Sequence, residues 1–422
     1  MKKIKVFCLA DSPLAPSGVG TQTRYMIEGL LQTGRFEFVC FGGAIKHPDY
    51  KPIRTEEYGD DWIIYPVDGY GTQEQVRALL KAQKPDIVWI MTDPRFWGWL
   101  WEIDNEIRNV APLVYYHVWD NLPYPTFNRK WYLSNDTIAS ISKVTDDIVR
   151  NVAPEVNLIR IPHAVNDNVF TKIKDTKLIS EFKKDNQMGF DKNGNKRFVF
   201  FWNNRNARRK QSGSLMFWFN DFLNRVGRDK ATLVMHTEPR DPNGQDLIAI
   251  RDKLELDEDQ FKLSMNKLTI QQLSVLYNSV DCTINISDAE GFGLATLESL
   301  ATETPIIVNM TGGLQEQVTD GENWFGIGIE PSSKAIIGSQ EVPWIYEDRI
   351  SGKDLVDAMV KMYEMSDTER EELGKMGRNH VLTNYSMKNY ISLWDKTLTD
   401  IHEKHGSWDN KKGNLWSLNK IL

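Results

Sequence analysis

Short apolar runs rich in Val, Ile and Phe alternate with helix-period segments along almost the whole chain. In the first part these runs are IKVFCLA (4–10), FEFVCFG (36–42), WIIYPV (62–67), DIVWIMT (86–92), LVYYHV (113–118), TIASIS (137–142) and LIRIPH (158–163). Their length predicts strands, and the scarcity of polar alternation predicts that both faces of the sheet are covered. Between them TQTRYMIEGLLQTG (21–34), TQEQVRALLKAQ (72–83) and TDDIVRNV (145–152) carry the helical period, which gives βαβ units and a parallel sheet. The dense aromatic run FWGWLW (96–101) falls in an expected helix at 95–109. Packing against the sheet is its first reading, and stacking on sugar or lipid its second.

The polar segment 164–195 breaks the pattern and ends in an Asn/Gly/Lys cluster. A new alternation starts at RFVFFWN (197–203) and runs through ATLVMHT, FKLSM, VDCTINIS and PIIVNM, with helical segments between. From 354 onward the pattern is mainly helical. The expected organisation is a first α/β domain at 1–168, a linker at 169–195, a second α/β domain at 196–385, and a crossing helix with a tail at 386–422. Residues 324–350 read as an insertion near the mouth of a cleft, a lid or acceptor loop. The last dozen residues, with Trp408 and Trp416, have no place in this scheme.

At 422 residues, with 41% hydrophobic and 26% charged, the chain suffices for two cores. A net charge of −7, from 51 Lys+Arg against 58 Asp+Glu, argues against a dedicated nucleic-acid binder. Cys8, Cys40 and Cys282 form no CxxC pair and point to a reducing compartment. The opening MKKIKVFCLADSP is too short in apolar residues for a signal peptide, and no run approaches the roughly 18 apolar residues of a membrane span. A soluble, cytoplasmic protein is expected.

In doubly wound sheets ligands bind beyond the carboxyl ends of the strands, and two such sheets facing each other make a cleft. The unusual residues fall in those strand-to-helix loops. SDAEGFGLATLESLATETP (287–305) places Gly291 and Gly293 before a helix start, with Glu290 ahead of the turn and Glu298 inside the helix. The exposed first-turn amides suit a phosphate, although acids near a helix N-terminus are favoured by the dipole alone. FFWNNRNARRKQSG (200–213) brings Arg205, Arg208, Arg209 and Lys210 to a loop, as diphosphate recognition requires and as a solvated basic loop would also look. In ADSPLAPSGVGTQTRY (10–25), Gly18 and Gly20 lack the third glycine and the distant acid of a dinucleotide fingerprint, which disfavours a dehydrogenase. YYHVWDN (115–121) ends a strand with His117, a site-forming position that is also open to a structural histidine.

Taken together over residues 4–385, these stretches resemble the GT-B, retaining nucleotide-sugar glycosyltransferases of family 4, relatives of glycogen synthase, sucrose synthase and bacterial mannosyltransferases. EGFGLATLE is similar to that family's E-x7-E signature. Arg205 and Lys210 fit its G-R-x4-K-G spacing, with Asn204 and Gln211 in place of both glycines. IPHAVNDNVF (161–170) and TGGLQEQVTDGENW (311–324) resemble its interdomain and glycine-loop segments, and His117 falls on its "HD" strand end with the acid displaced to Asp120. The resemblance implies two Rossmann-like domains facing across a cleft and transfer of a sugar from a nucleotide-diphosphate donor with retention. It implies that Arg205 and Lys210 hold the diphosphate, that Phe292, Gly293 and Leu294 add amides beyond Gly291, and that Glu298 takes the ribose. Glu290 and His117 would hold the sugar, with Gly18 and Gly20 near it. No metal or other cofactor is implied, and no DxD-type pair is placed to hold one. The acceptor stays open among glycan, lipid carrier, protein, small molecule and, against the net charge, modified DNA. Other open readings are an epimerase or phosphorylase of the same architecture and a binding protein without catalysis.

Overall fold

A computed structural model describes residues 2–191 and 193–412 of the chain, so Trp416 lies outside the described residues. The chain divides into two compact units, one formed by 1–164 with 387–422 and the other by 165–386. Each is built on a largely or wholly parallel sheet.

In the first unit the strands are β1 (Ile4–Asp11), β2 (Phe36–Gly43), β3 (Ile53–Arg54), β4 (Trp62–Pro66), β5 (Ile87–Met91), β6 (Leu113–His117), β7 (Thr137–Ser140) and β8 (Leu158–Arg160). Their order is β3-β4-β2-β1-β5-β6-β7-β8, antiparallel only at β3–β4. All seven apolar runs read from this part of the sequence are therefore strands, and all but the edge strand β8 are largely buried, as expected of a parallel sheet covered on both faces. Helix Gln73–Gln83 begins at a Thr72/Gln75 capping box and ends at Lys84 in the left-handed conformation, just before Pro85. The expected helix over 95–109 is instead three short pieces, Pro94–Phe96, Gly98–Trp101 and Asp104–Val110. Trp97 and Trp101 pack as the first reading had it, while Phe96 is exposed. Trp97 is fully buried with Nε1 donating to the Met91 carbonyl, and Trp101 Nε1 donates to Asn135 Oδ1, both at 3.2 Å.

Helix Met387–His405 returns to this first unit. Tyr390, Trp394, Leu398 and Ile401 recur at helical spacing and are buried. Trp394 meets Trp89 and Tyr116 edge-on at 5.7 and 4.9 Å, and Tyr390 Oη donates to the Gln22 carbonyl at 3.1 Å. Beyond the helix, the Trp408 N–H donates to Asp86 Oδ1 at 2.8 Å, which ties the start of the tail to the first sheet.

The second unit carries β9 (Phe198–Asn203), β10 (Ala231–His236), β11 (Phe261–Ser264), β12 (Cys282–Asn285), β13 (Ile306–Asn309) and β14 (Gly326–Ile329), in the order β11-β10-β9-β12-β13-β14 and parallel throughout. Phe200, Trp202, Phe219, Phe222 and Met359 are central to its core. Two expectations need correction. Residues 169–195 are part of this unit, not a separate linker: helix Thr176–Asp185 packs on helix Ile270–Asn278, and the Ile173 N–H donates to Asn278 Oδ1 at 2.9 Å. Residues 324–350 are not wholly an insertion either, since 326–329 form edge strand β14. Its two glycines mask the strand pattern, yet Gly326 fits because a Cβ there would stand 2.1 Å from the Ile306 carbonyl oxygen. The remainder is an antiparallel hairpin, β15 (Ser333–Ile337) with β16 (Ile345–Arg349).

All three cysteines are buried and free. No helix among the described residues is long and apolar enough to cross a membrane.

Candidate functional site

In the second unit the strand order reverses between β9 and β12, and in such sheets the crevice opens at that point. The two loops that leave these strands hold the candidate residues. After β9, Asn206 is buried and fixes the loop: its Oδ1 accepts from the Ser212 hydroxyl at 2.6 Å and its Nδ2 donates to the Gln245 carbonyl at 2.7 Å. A short turn, Arg208–Lys210, follows, and Gln211 in the left-handed conformation then starts helix Ser212–Val226. Lys210, largely buried, donates to Glu290 Oε2. Arg209 donates to the Ala289 carbonyl, and the Asp288 N–H returns a bond to the Arg209 carbonyl at 2.8 Å. The structure thus joins Lys210 and Glu290, which are far apart in sequence.

After β12 the chain reaches Gly293 at φ 94°, where helix Leu294–Ala301 begins. A Cβ at Gly293 would lie 2.5 Å from Leu314 Cδ2. The loop is pressed onto the turn at Gly312 and Gly313, where added Cβ atoms would meet the Glu290 carbonyl oxygen at 1.9 Å and Phe292 Cα at 2.6 Å. This contact explains the paired glycines of TGGL. Gln317 Nε2 donates to the carbonyls of Phe292 and Gly293 at 2.7 and 3.1 Å, so those carbonyls are turned inward. Among the described residues no side chain caps the helix at Gly293, whereas Ser17, Thr72, Ser142 and Thr269 cap helices elsewhere and Gln245 Oε1 accepts from the Gly213 N–H at 3.3 Å in the helix at Ser212. The first-turn amides of an uncapped helix have no intrahelical partner and suit an anion.

The two glutamates differ in charge state. Burial by itself raises Glu290, but Lys210 and Arg209 more than offset it and hold the carboxyl below its usual range. Burial pushes Glu298 up to about 7, with the Tyr277 hydroxyl opposing. That hydroxyl donates to Glu298 Oε2 at 3.0 Å and accepts from Asn203 Nδ2 at 2.9 Å. Asp288, 2% exposed, is pushed up to about 6 by burial despite a 2.6 Å bond from Gln211 Nε2.

Arg205 is not gathered into this cluster. Its side chain is 64% exposed, and the guanidinium forms a bidentate pair with Asp241 at 2.6 and 3.1 Å. The hairpin reaches the loop through Glu347, which is buried and accepts from Arg208 and Arg349.

In the first unit the strand order reverses between β1 and β5. Gly18 opens helix Gly18–Leu31, and the Gly20 N–H donates to the Ser17 hydroxyl at 3.0 Å. A Cβ at Gly20 would meet the carbonyls of Ser12 and Ala15 at 2.7 and 2.8 Å, so this glycine serves a close turn. Beside it the buried Asp11 accepts from Ser17 at 2.6 Å and from Tyr70 at 2.9 Å. His117 ends β6 fully buried, its Nε2 bonded to Tyr132 Oη at 2.7 Å while Nδ1 has no hydrogen-bond partner among the described residues. Burial lowers its pKa to about 3, so the ring is neutral. His163 is bonded through Nδ1 to Tyr116 Oη at 2.8 Å.

Sequence reasoning missed Tyr277, Asn203, Asp288 and Glu347. Asn203 ends its strand and carried a positional signal. Tyr277 lies within a helix and Glu347 in a hairpin, where the rule about loops at strand ends does not look. Among the described residues no group of three or more His, Cys, Asp or Glu is arranged to hold a metal ion.

Residues 243–337 match the family model of the glycosyl transferases group 1. No curated protein sequence matches the chain. Among solved structures, sucrose-phosphate synthase from Thermosynechococcus elongatus is 15% identical, with 96% of this chain and 100% of that chain covered and a TM-score of 0.73. HepE from Anabaena, solved with UDP and glucose, is 14% identical at 94% and 100% coverage and a TM-score of 0.68. The α,α-trehalose 6-phosphate synthase from Burkholderia multivorans is 11% identical at 96% and 99% coverage, also at 0.68. The fold is that of these enzymes, GT-B. The family-model match supports a glycosyltransferase, and the likenesses show the GT-B fold.

Proposed function

From a GT-B chain with a glycosyl transferases group 1 segment, we propose a retaining glycosyltransferase that moves a sugar from a nucleotide-diphosphate donor to an acceptor hydroxyl or similar nucleophile. The observation that carries this reading is the buried Lys210–Glu290 pair beside the uncapped helix start at Gly293, at the reversal point of the second sheet. Lys210 and the amides of Gly293 and Leu294 take the diphosphate, and Glu298 accepts the ribose hydroxyls. Glu290, kept ionised by Lys210, accepts sugar hydroxyls with its remaining capacity. His117, neutral and buried at the end of β6 in the first unit, offers a hydrogen bond there and no charge.

In the transfer, the bond from the sugar's anomeric carbon to the β-phosphate oxygen breaks. The acceptor oxygen bonds to that carbon on the same face, and the acceptor's proton passes to the departing diphosphate. The negative charge that builds on the diphosphate falls on Lys210, and fixed charge aimed at developing charge is commonly the largest catalytic contribution. In this reading Lys210 and the helix amides neutralise the phosphates, so the rate is expected to be unchanged by EDTA. UDP-glucose is the first donor to try, because HepE is solved with UDP-glucose.

A thermal-shift panel of UDP-, GDP-, ADP- and dTDP-sugars tests the reading. A ligand at about 100 times its Kd adds roughly 2.7 kcal/mol to the state that binds it, a shift of several degrees. A shift with one series, lost in Lys210→Ala, is the expected result. No shift with any series refutes a nucleotide-sugar donor.

A further inference from the structure

Gln211 stands where the loop after β9 turns left-handed, at φ 57° and ψ 33°. It is the single residue between the turn Arg208–Lys210 and helix Ser212–Val226, so its conformation directs both Lys210 and the first amides of the helix. A side chain disfavours this region, and a glycine would occupy it freely. Here the side chain is clasped from two sides. Its Nε2 donates to Asp288 Oδ2 and its Oε1 accepts from the Ser214 hydroxyl, both at 2.6 Å. Asp288 is itself immobilised, because its N–H donates to the Arg209 carbonyl at 2.8 Å and its carbonyl accepts from the Asp348 N–H at 2.9 Å. It lies two residues before Glu290, the partner of Lys210.

We infer that Asp288 is a positioning residue for the donor site: through Gln211 it holds the left-handed turn that aims Lys210, doing what glycine at 211 would do unaided. This rests on the reading of Lys210 as a diphosphate ligand. Asp288 acts through Gln211 and has no assigned contact with substrate.

The test is a double-mutant cycle on the full chain, read by calorimetric titration with the free nucleotide (UDP, GDP, ADP or dTDP) that wild type binds best, with melting temperature as a control. Asp288→Ala should weaken binding roughly tenfold, the effect of losing a buried hydrogen bond to a charged group. Gln211→Gly should stay near wild type, and the double variant should return most of the lost affinity, because glycine no longer needs the clasp. If Asp288 only supported the fold, glycine at 211 would rescue nothing, and that result overturns the inference. So does wild-type affinity in Asp288→Ala. Should Asp288→Ala fail to fold, Gln211→Ala carries the same prediction, since it keeps the strained backbone without the clasp. It must bind about tenfold more weakly than Gln211→Gly. Lys210→Ala in the same titration separates the two failures: unchanged affinity there, or no binding of any of the four by wild type, refutes the donor site and the clasp with it.

Discussion

Glu290 and Glu298 sit on one continuous loop and helix, yet their surroundings are opposite. Around Glu290 two cations converge and keep the carboxylate charged although it is buried. Glu298 is buried with the Tyr277 hydroxyl donating to it, and the carboxyl is left on the edge of ionisation near neutral pH. The difference follows from what the two strand-end loops deliver. The loop after β9 brings Lys210 and Arg209 to the turn, while helix Ile270–Asn278 brings Tyr277 to the helix behind it. One signature therefore contains a fixed charge and a proton-sensitive acceptor.

The largest effect is expected at the fixed charge. Lys210→Met should lower turnover about 100- to 1,000-fold, the range seen when one charge-stabilising group is removed. It should also destabilise the unit, because Glu290 is left buried without its ion partner. Lys210→Met with Glu290→Gln removes both charges and should regain the melting temperature while staying inactive. Recovered activity in that double variant would mean that the pair serves the fold alone.

Next comes the turn that supports Glu290. Gly312 has φ 49°, and its Cβ would collide with the Glu290 carbonyl. Gly312→Ala should cost at least the 1–3 kcal/mol of a strained backbone, read as a lower melting temperature. The loop must shift to relieve the clash, so turnover should fall as well. The Glu298 carboxyl lies on the helix beyond, and its pH dependence should change little in this variant. A loss confined to the Glu298 behaviour would reverse the comparison.

At Glu298 the expected effect is smaller and depends on pH. Its pKa in the folded protein is about 7, above the usual carboxylate value. The folded state therefore holds an extra proton between about 4.5 and 7, and the group's contribution to stability falls as pH rises through that window and is flat above it. Binding of a nucleotide sugar has the opposite trend, because only the ionised carboxylate accepts two ribose hydroxyls. UDP-glucose affinity should rise between pH 6 and 8, and Glu298→Gln should abolish the rise. A nucleotide sugar is the proper probe, since a free nucleoside diphosphate titrates in the same range. Asp288, pushed up to about 6, titrates just below it, and Asp288→Asn separates the two contributions.

The architecture was legible because buried parallel strands are continuous apolar runs. Every such run read from the first unit is a strand, and the three helices read from their period lie within about three residues of where that period placed them. Strand β14 escaped because two of the four residues in GIGI are glycines, which are poor strand formers, and the broken helix after β5 escaped because Trp and Gly share the helical period without its propensity. The Lys210 and Glu290 loops were legible as a pair of strand-end loops. What joins them was not. Tyr277, Asp288 and Glu347 act from a helix, the loop after β12 and a hairpin that only the folded sheet brings near, and single-sequence reasoning has no spacing rule that links them.

Arg205 provides the smallest and most pointed contrast. Lys210 is buried against Glu290, whereas Arg205 is exposed and already paired with Asp241, whose carboxyl it holds well below the usual range. Reaching a phosphate would require Arg205 to leave that partner, and the exchange of one anion for another returns only the difference between two exposed contacts. Exposed pairs are worth about 0.2–1 kcal/mol, so Arg205→Ala should hardly move the melting temperature. If Arg205 does turn to the diphosphate, Arg205→Ala should weaken UDP-glucose binding, by less than Lys210→Met does. Asp241→Ala should then tighten binding slightly by freeing the guanidinium, an effect that fades as salt is raised. Unchanged affinity in both variants would assign the Arg205–Asp241 pair to the loop's own geometry and leave Lys210 and the helix amides as the diphosphate site.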